Sequence, residues 1–240
     1  MKVMVGFDGS PGSRDAMVLG EALCAATGGE LVVPTIDAHG DRAAAERLQE
    51  LAAAEGADVI VVGSAKHGRC GRVLPGSFGE RILSDCPCAV AIAPLELAER
   101  GLELREIAVG YDGSRASGEA LRTAIDLAER TGASLLLLGA ADPAIDTTGM
   151  QSVATIEMEA TRMQRHLARA LESVPAGVSA HARLLHGAPN HVVAEAAAEA
   201  DLLVLGSRGH YGVLRRLFLG SVSTHATRDA PCAVLIALPG

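Results

Sequence analysis

The chain contains one unit written twice, and the two copies differ in length. Asp8-Gly9-Ser10 returns as Asp112-Gly113-Ser114, 104 residues later. Gly76-Ser77 returns as Gly220-Ser221, and Pro87-Cys88-Ala89-Val90 as Pro231-Cys232-Ala233-Val234, both 144 residues later. Gly63 returns as Gly206 after 143, so 39 of the 40 extra residues precede the glycine loop and one lies inside it. Self-similarity of this kind marks a duplicated folding unit. The first copy lacks the helix and alternating strand that the second holds near 153–185, and passes from Ile36 directly into a helical stretch at 41–55.

Each copy alternates short apolar runs with helical segments, the pattern of parallel strands joined by crossovers. The expected strands are Val3–Phe7, Leu31–Ile36, Val59–Val62 and Cys88–Ala93, then Glu106–Tyr111, Ser134–Leu138, Val178–Leu185, Leu202–Leu205 and Cys232–Leu238. Ser13 or Asp15 is expected to cap the first helix, Pro94–Gly101 reads as the linker, and Pro189–Ala200 reads as one helix. In a doubly wound sheet ordered 3-2-1-4-5 the third strand is an edge. Only an edge strand can be lost without orphaning two hydrogen-bond ladders. The fold class is therefore α/β, with two doubly wound parallel-sheet domains: 1–97 ordered 2-1-4-5, and 103–240 ordered 3-2-1-4-5. The short apolar strands Cys88–Ala93 and Cys232–Leu238 fall at sheet edges, and pairing them removes an aggregation hazard. That pairing makes the chain an intramolecular pseudo-dimer. The sheet surface left bare by the missing helix then needs cover, from the second copy or from another chain in a homodimer.

Composition narrows the functional classes. Hydrophobic residues make up 49% but aromatics only 2%, so the core is aliphatic, as suits strands buried on both faces. A net charge of −8 speaks against a general nucleic-acid partner. No apolar run reaches the roughly 18–20 residues that span a bilayer, and Met1–Gly6 enters a strand instead of a leader. Five cysteines without framework spacing fit a reducing compartment. Cytoplasmic location is the expectation.

The candidate site is the stretch 202–223. An apolar strand ends at Gly206, the loop Ser207-Arg208-Gly209-His210 follows, and Gly220-Ser221-Val222-Ser223 opens a new helix. A strand, a glycine loop and a helix start in that order present backbone N–H groups to a phosphate. Arg208, His210, Arg215 and Arg216 can neutralise further phosphate charge. In the first copy Gly63, Gly76 and Ser77 keep the frame, but Lys66 stands where the second glycine would be, so that site is the weaker one.

Val-Gly-Phe-Asp-Gly-Ser at 5–10, the glycine loop after the fourth strand, Gly-Ser opening the last helix and Pro-Cys-Ala-Val in the last strand together resemble the universal stress proteins. The resemblance covers essentially the whole chain, in tandem two-domain form. It implies a Rossmann-like fold, last strands paired across a dimer interface, a regulatory role in the stress response and, in some members, ATP at the loop, with Mg alongside it. Nucleotide-binding members carry Gly-x2-Gly-x9-Gly-(Ser/Thr). Here Gly206-x2-Gly209 is followed by ten residues before Gly220-Ser221, and the first copy keeps nine residues between Lys66 and Gly76.

Asp112 and Asp8 end their strands beside the switch point. Each can bond an adenine amino group or a ribose hydroxyl, or cap its own Asp-Gly-Ser turn. The expected function is binding of ATP or a related adenine nucleotide, mainly in the second domain. The alternatives are a non-nucleotide interaction module that docks a partner through the shortened domain, and a weak ATPase with His210 near the phosphates. No catalytic set is read. Cys86-Pro87-Cys88 is too tight for a Cys-x2-Cys motif, and Cys70 is a loop thiol among basic residues. His181, His186 and His191, five apart, share neither a strand face nor a helix turn.

Overall fold

The computed structural model describes residues 1–65, 71–142, 153–207 and 221–238. The first half runs β1 (Lys2–Val5), α1 (Pro11–Thr27), β2 (Glu30–Val32), α2 (Asp41–Glu55), β3 (Val59–Gly63), α3 (Gly76–Asp85) and β4 (Ala89–Ala93). After α4 (Leu97–Arg100) the second half runs β5 (Glu106–Gly110), α5 (Arg115–Thr131), β6 (Ser134–Ala141), α6 (Val153–Glu172), β7 (Ala180–His186), α7 (Pro189–Ala196), β8 (Leu202–Gly206), α8 (Ser221–Asp229) and β9 (Ala233–Ala237). These strands form one sheet of nine, ordered β2-β1-β3-β4-β9-β8-β5-β6-β7. The two halves therefore have the orders 2-1-4-5 and 3-2-1-4-5. They meet where β4 and β9 run antiparallel, with Val90 opposite Ile236, Ala91 opposite Leu235 and Ile92 opposite Val234.

Alternation along each strand sends side chains to two cores. Val3, Val5, Val61, Val109, Leu137 and Val204 meet α1, α5 and α6 on one face. Met4, Ile60, Val62, Leu138, Leu205 and Ile236 meet α2, α3, α7 and α8 on the other. The sheet is thus buried on both sides, which explains the near-continuous aliphatic runs.

Several boundaries differ from the sequence reading. Ser10, not Ser13 or Asp15, caps α1, accepting from the Ser13 N–H at 3.2 Å. Asp15 is instead 3% exposed and accepts from the backbone N–H groups of Glu96 (3.1 Å) and Ala98 (2.8 Å). It caps the short helix α4, inside what reads as linker. Asp15→Ala strands two donors and is expected to cost about 1–3 kcal/mol in urea denaturation, whereas Asp15→Asn, which keeps an acceptor, costs less. β2 stops at Val32, two residues before Pro34, whose ring cannot donate to a ladder. The helix read over 189–200 tightens into a 3-10 turn at Ala197–Glu199.

The missing helix leaves a measurable trace. Val33 and Leu137 are equivalent by the 104-residue offset, yet Val33 is 43% exposed and Leu137 fully buried. Phe7, equivalent to Tyr111, is 41% exposed, while Tyr111 is half-buried against the core. In the second half Met163 and Leu167 of α6 supply the cover. Leu137→Ala is expected to cost about 2–5 kcal/mol, and Val33→Ala to stay within about 0.5 kcal/mol, by chemical denaturation of both variants.

Candidate nucleotide-binding site

The carboxyl ends of β5 and β8 separate at the point where the strand order reverses, the place where open α/β sheets hold ligands. There the second half encloses a cavity of about 180 Å³. Its floor is Gly110, Leu138, Ala140, Leu205 and Gly206; Asp112, Ser114 and Ser117 bring the start of α5 to it. Met163 of α6, Val193 of α7 and Val222 and Ser223 of α8 complete the walls.

The polar groups are few and fixed. Asp112 accepts from the Ser114 N–H at 2.9 Å, and Ser114 in turn caps α5 by accepting from the Ser117 N–H at 3.2 Å. Arg162 of α6 has its pKa raised chiefly by its bonds to Glu159, and further by the negative charge of Asp112. His166, one turn along, lies against Gly113, whose φ of +79° suits glycine. Ser223 is buried and donates to the Gly206 carbonyl at 3.2 Å, pinning the first turn of α8 to the end of β8.

Gly206 is a glycine for a different reason from the one its sequence suggests. A Cβ there would be driven into the backbone of Ala116, so the residue is small because α5 crosses it. Backbone approach to a phosphate is not what the packing shows at this position. Val222 lines the cavity and Ser221 opens α8; Arg208, Gly209, His210 and Gly220 lie outside the described residues, as do Lys66 and Cys70.

The equivalent corner of the first half differs in its side chains. Asp8 accepts from the Ser10 N–H at 2.9 Å, and its carboxyl is held below the ordinary aspartate range, chiefly by bonding to Ser10. Gly63 abuts the Gly12 carbonyl. Gly76 has φ +58°, and the Ser77 hydroxyl bonds the Asp41 carboxylate. Phe78 stands where the second half has Val222, and its ring lies 3.5 Å from the Cβ position of Gly6. Beside Gly110 the nearest side chains are instead those of Leu205 and Val193.

Sequence reasoning missed Ser64 and Ser207. Ser64 is buried; its hydroxyl donates to the Ala93 carbonyl at 2.6 Å and accepts from the Leu74 N–H at 3.0 Å. Ser207 is also buried, with no partner for its hydroxyl among the described residues. The repeated Gly-Ser at 63–64 and 206–207 was the available signal. Met163, Arg162 and His166 carried none, because α6 reaches the site only through tertiary packing. Among the described residues no three His, Cys, Asp or Glu gather as metal ligands. Cys86 and Cys88 are buried with sulfurs 3.8 Å apart, the Cys86 pKa lowered and that of Cys88 raised by their shared hydrogen bond.

The model of the universal stress protein family matches residues 37–94 and 103–237, most of the chain. The chain belongs to that family. Two matches in succession give it the tandem form. A universal stress protein of Thermus aquaticus is 36% identical over 137 residues, covering 55% of this chain and 97% of that protein. One from Mycobacterium tuberculosis is 31% identical over 193 residues, covering 77% of this chain, which spans 65% of that protein's length. The crystal structure of a universal stress protein from Archaeoglobus fulgidus shares the fold, with TM-score 0.67 at 19% identity, over 100% of this chain and 98% of that one. Another family member, matching 57% of this chain at 26% identity and TM-score 0.45, has been solved in complex with cAMP. Among the described residues no helix is long and apolar enough to cross a membrane.

Proposed function

We propose that this universal stress protein binds an adenine nucleotide, ATP or a close relative, as a regulatory ligand in its second half. The observation that carries the reading is the opening beside Asp112 at the switch point of the sheet. Its wall is apolar where Leu138, Ala140, Val193 and Val222 face it, which suits a flat base, and it holds one carboxylate at the end of β5. With a base beside Asp112, ribose and phosphates fall to the stretch 208–221. In that stretch Arg208, Gly209, His210, Gly220 and Ser221 carry the chemistry of phosphate binding, and Mg would enter only with a triphosphate. The first half, with Phe78 beside Gly6 and Ser77 bonded to Asp41, contributes less.

Mass spectrometry of small molecules released from the purified chain, followed by calorimetry with ATP and AMP, tests the reading. One saturable equivalent, weakened at least tenfold by Gly209→Lys, is the expected result. Absence of saturable binding by any adenine nucleotide overturns it.

A further inference from the structure

Two histidines that are not among the cavity's lining residues meet where two of its wall helices touch. His191 of α7 and His225 of α8 are 34 residues apart in sequence, and their ring centroids lie 4.4 Å apart with the planes at 62°. His191 is exposed and His225 half-buried. Pro189 and Val193 of α7 and Ser223 of α8 line the cavity. A step of two residues turns a helix by about 200°, so position 191 faces away from it, and neither His191 nor His225 is among its lining residues. Among the described residues neither imidazole has a side-chain hydrogen bond or an ion pair. The pair is therefore available to an outside group, and neutral imidazole is the commonest protein ligand for metals.

We propose that His191 and His225 form a two-imidazole clasp for a nitrogen-seeking divalent cation of the Ni²⁺ or Cu²⁺ kind. With metal–nitrogen bonds of about 2.0–2.1 Å, two imidazoles held at a right angle place their centroids about 4.5 Å apart, and a tetrahedral angle requires about 5.2 Å. The observed 4.4 Å spacing is within reach of one ion shared by both rings, and imidazole suits Ni²⁺ and Cu²⁺. No third His, Cys, Asp or Glu joins the pair among the described residues, so water completes the coordination. The ion ties α7 to α8, two walls of the cavity.

Calorimetry of the untagged full chain with NiCl₂ tests the clasp, without reference to any nucleotide. One equivalent of Ni²⁺ is expected, with affinity reduced at least tenfold by His191→Ala and likewise by His225→Ala, and no further reduction in the double variant. Ni²⁺ should also raise the thermal midpoint of the parent chain and leave both single variants unmoved. Circular dichroism of the variants without metal checks that both keep the fold. Retention of parental affinity by either variant, or no one-equivalent binding by the parent chain, overturns the proposal.

Discussion

Gly206→Val is expected to be the most damaging single substitution in the second half, costing more than about 3 kcal/mol and in the extreme preventing its folding. The new Cβ meets the main chain of Ala116 and not the tip of a side chain, so no rotamer change relieves it. Ala116 lies in the first turn of α5, a helix that buries Ala120, Ala124 and Leu127 against the sheet. Moving it away from β8 opens the core behind it. Gly118 is the control: it lies on the same helix, and a Cβ there meets nothing within 4 Å. Gly118→Ala should leave stability unchanged or raise it by about 0.5–1 kcal/mol, since alanine outranks glycine in a helix. Urea denaturation followed by circular dichroism separates the two. Similar midpoints for Gly206→Val and the parent would show that α5 does not hold β8 as described.

The second large effect is on affinity. Asp8 and Asp112 make the same local bond, each accepting the N–H two residues on at 2.9 Å. Replacing either by alanine removes that bond at a cost of about 1 kcal/mol. Asp112 also lines a cavity. Asp112→Ala is therefore expected to weaken adenine-nucleotide binding at least tenfold, and Asp8→Ala to leave it unchanged, by calorimetry on both variants. Asp112→Asn keeps the turn while removing the charge, so its affinity reports the carboxylate alone. Equal losses from Asp8→Ala and Asp112→Ala would reduce Asp112 to a turn residue.

The sheet order was legible because a duplication with a deletion allows few solutions. Losing 39 residues is tolerable only at an edge, which places the bare surface beside β2 from the sequence alone. Local signals fared less well where two residues competed for one task. Ser13 and Asp15 both suit a helix start, yet Ser10 takes the cap, and only packing shows that Asp15 reaches across to Glu96 and Ala98. The site was legible in outline, since Asp112 and the opening of α8 do face the cavity. Its far wall was not, because Met163 belongs to a helix whose position depends on the whole second core. Nor was the crossing of α5 over Gly206, since a glycine in a sequence does not say which neighbour it makes room for.

The antiparallel pairing of β4 with β9 has a consequence for how the chain can be divided. Arg72 of the first half donates to the Asp229 carbonyl at 2.6 Å, and Val73 donates to that of Ala230 at 2.9 Å, both at the end of α8. Cutting the gene between the halves would strip Val234, Leu235 and Ile236 of their neighbours on the β4 side and leave an open ladder there. Because that ladder is antiparallel, it is its own complement under a twofold rotation. A solitary second half would accordingly seek a twin, and sedimentation would find it as a symmetric pair: one gene has joined end to end what separate subunits would otherwise have to find by diffusion.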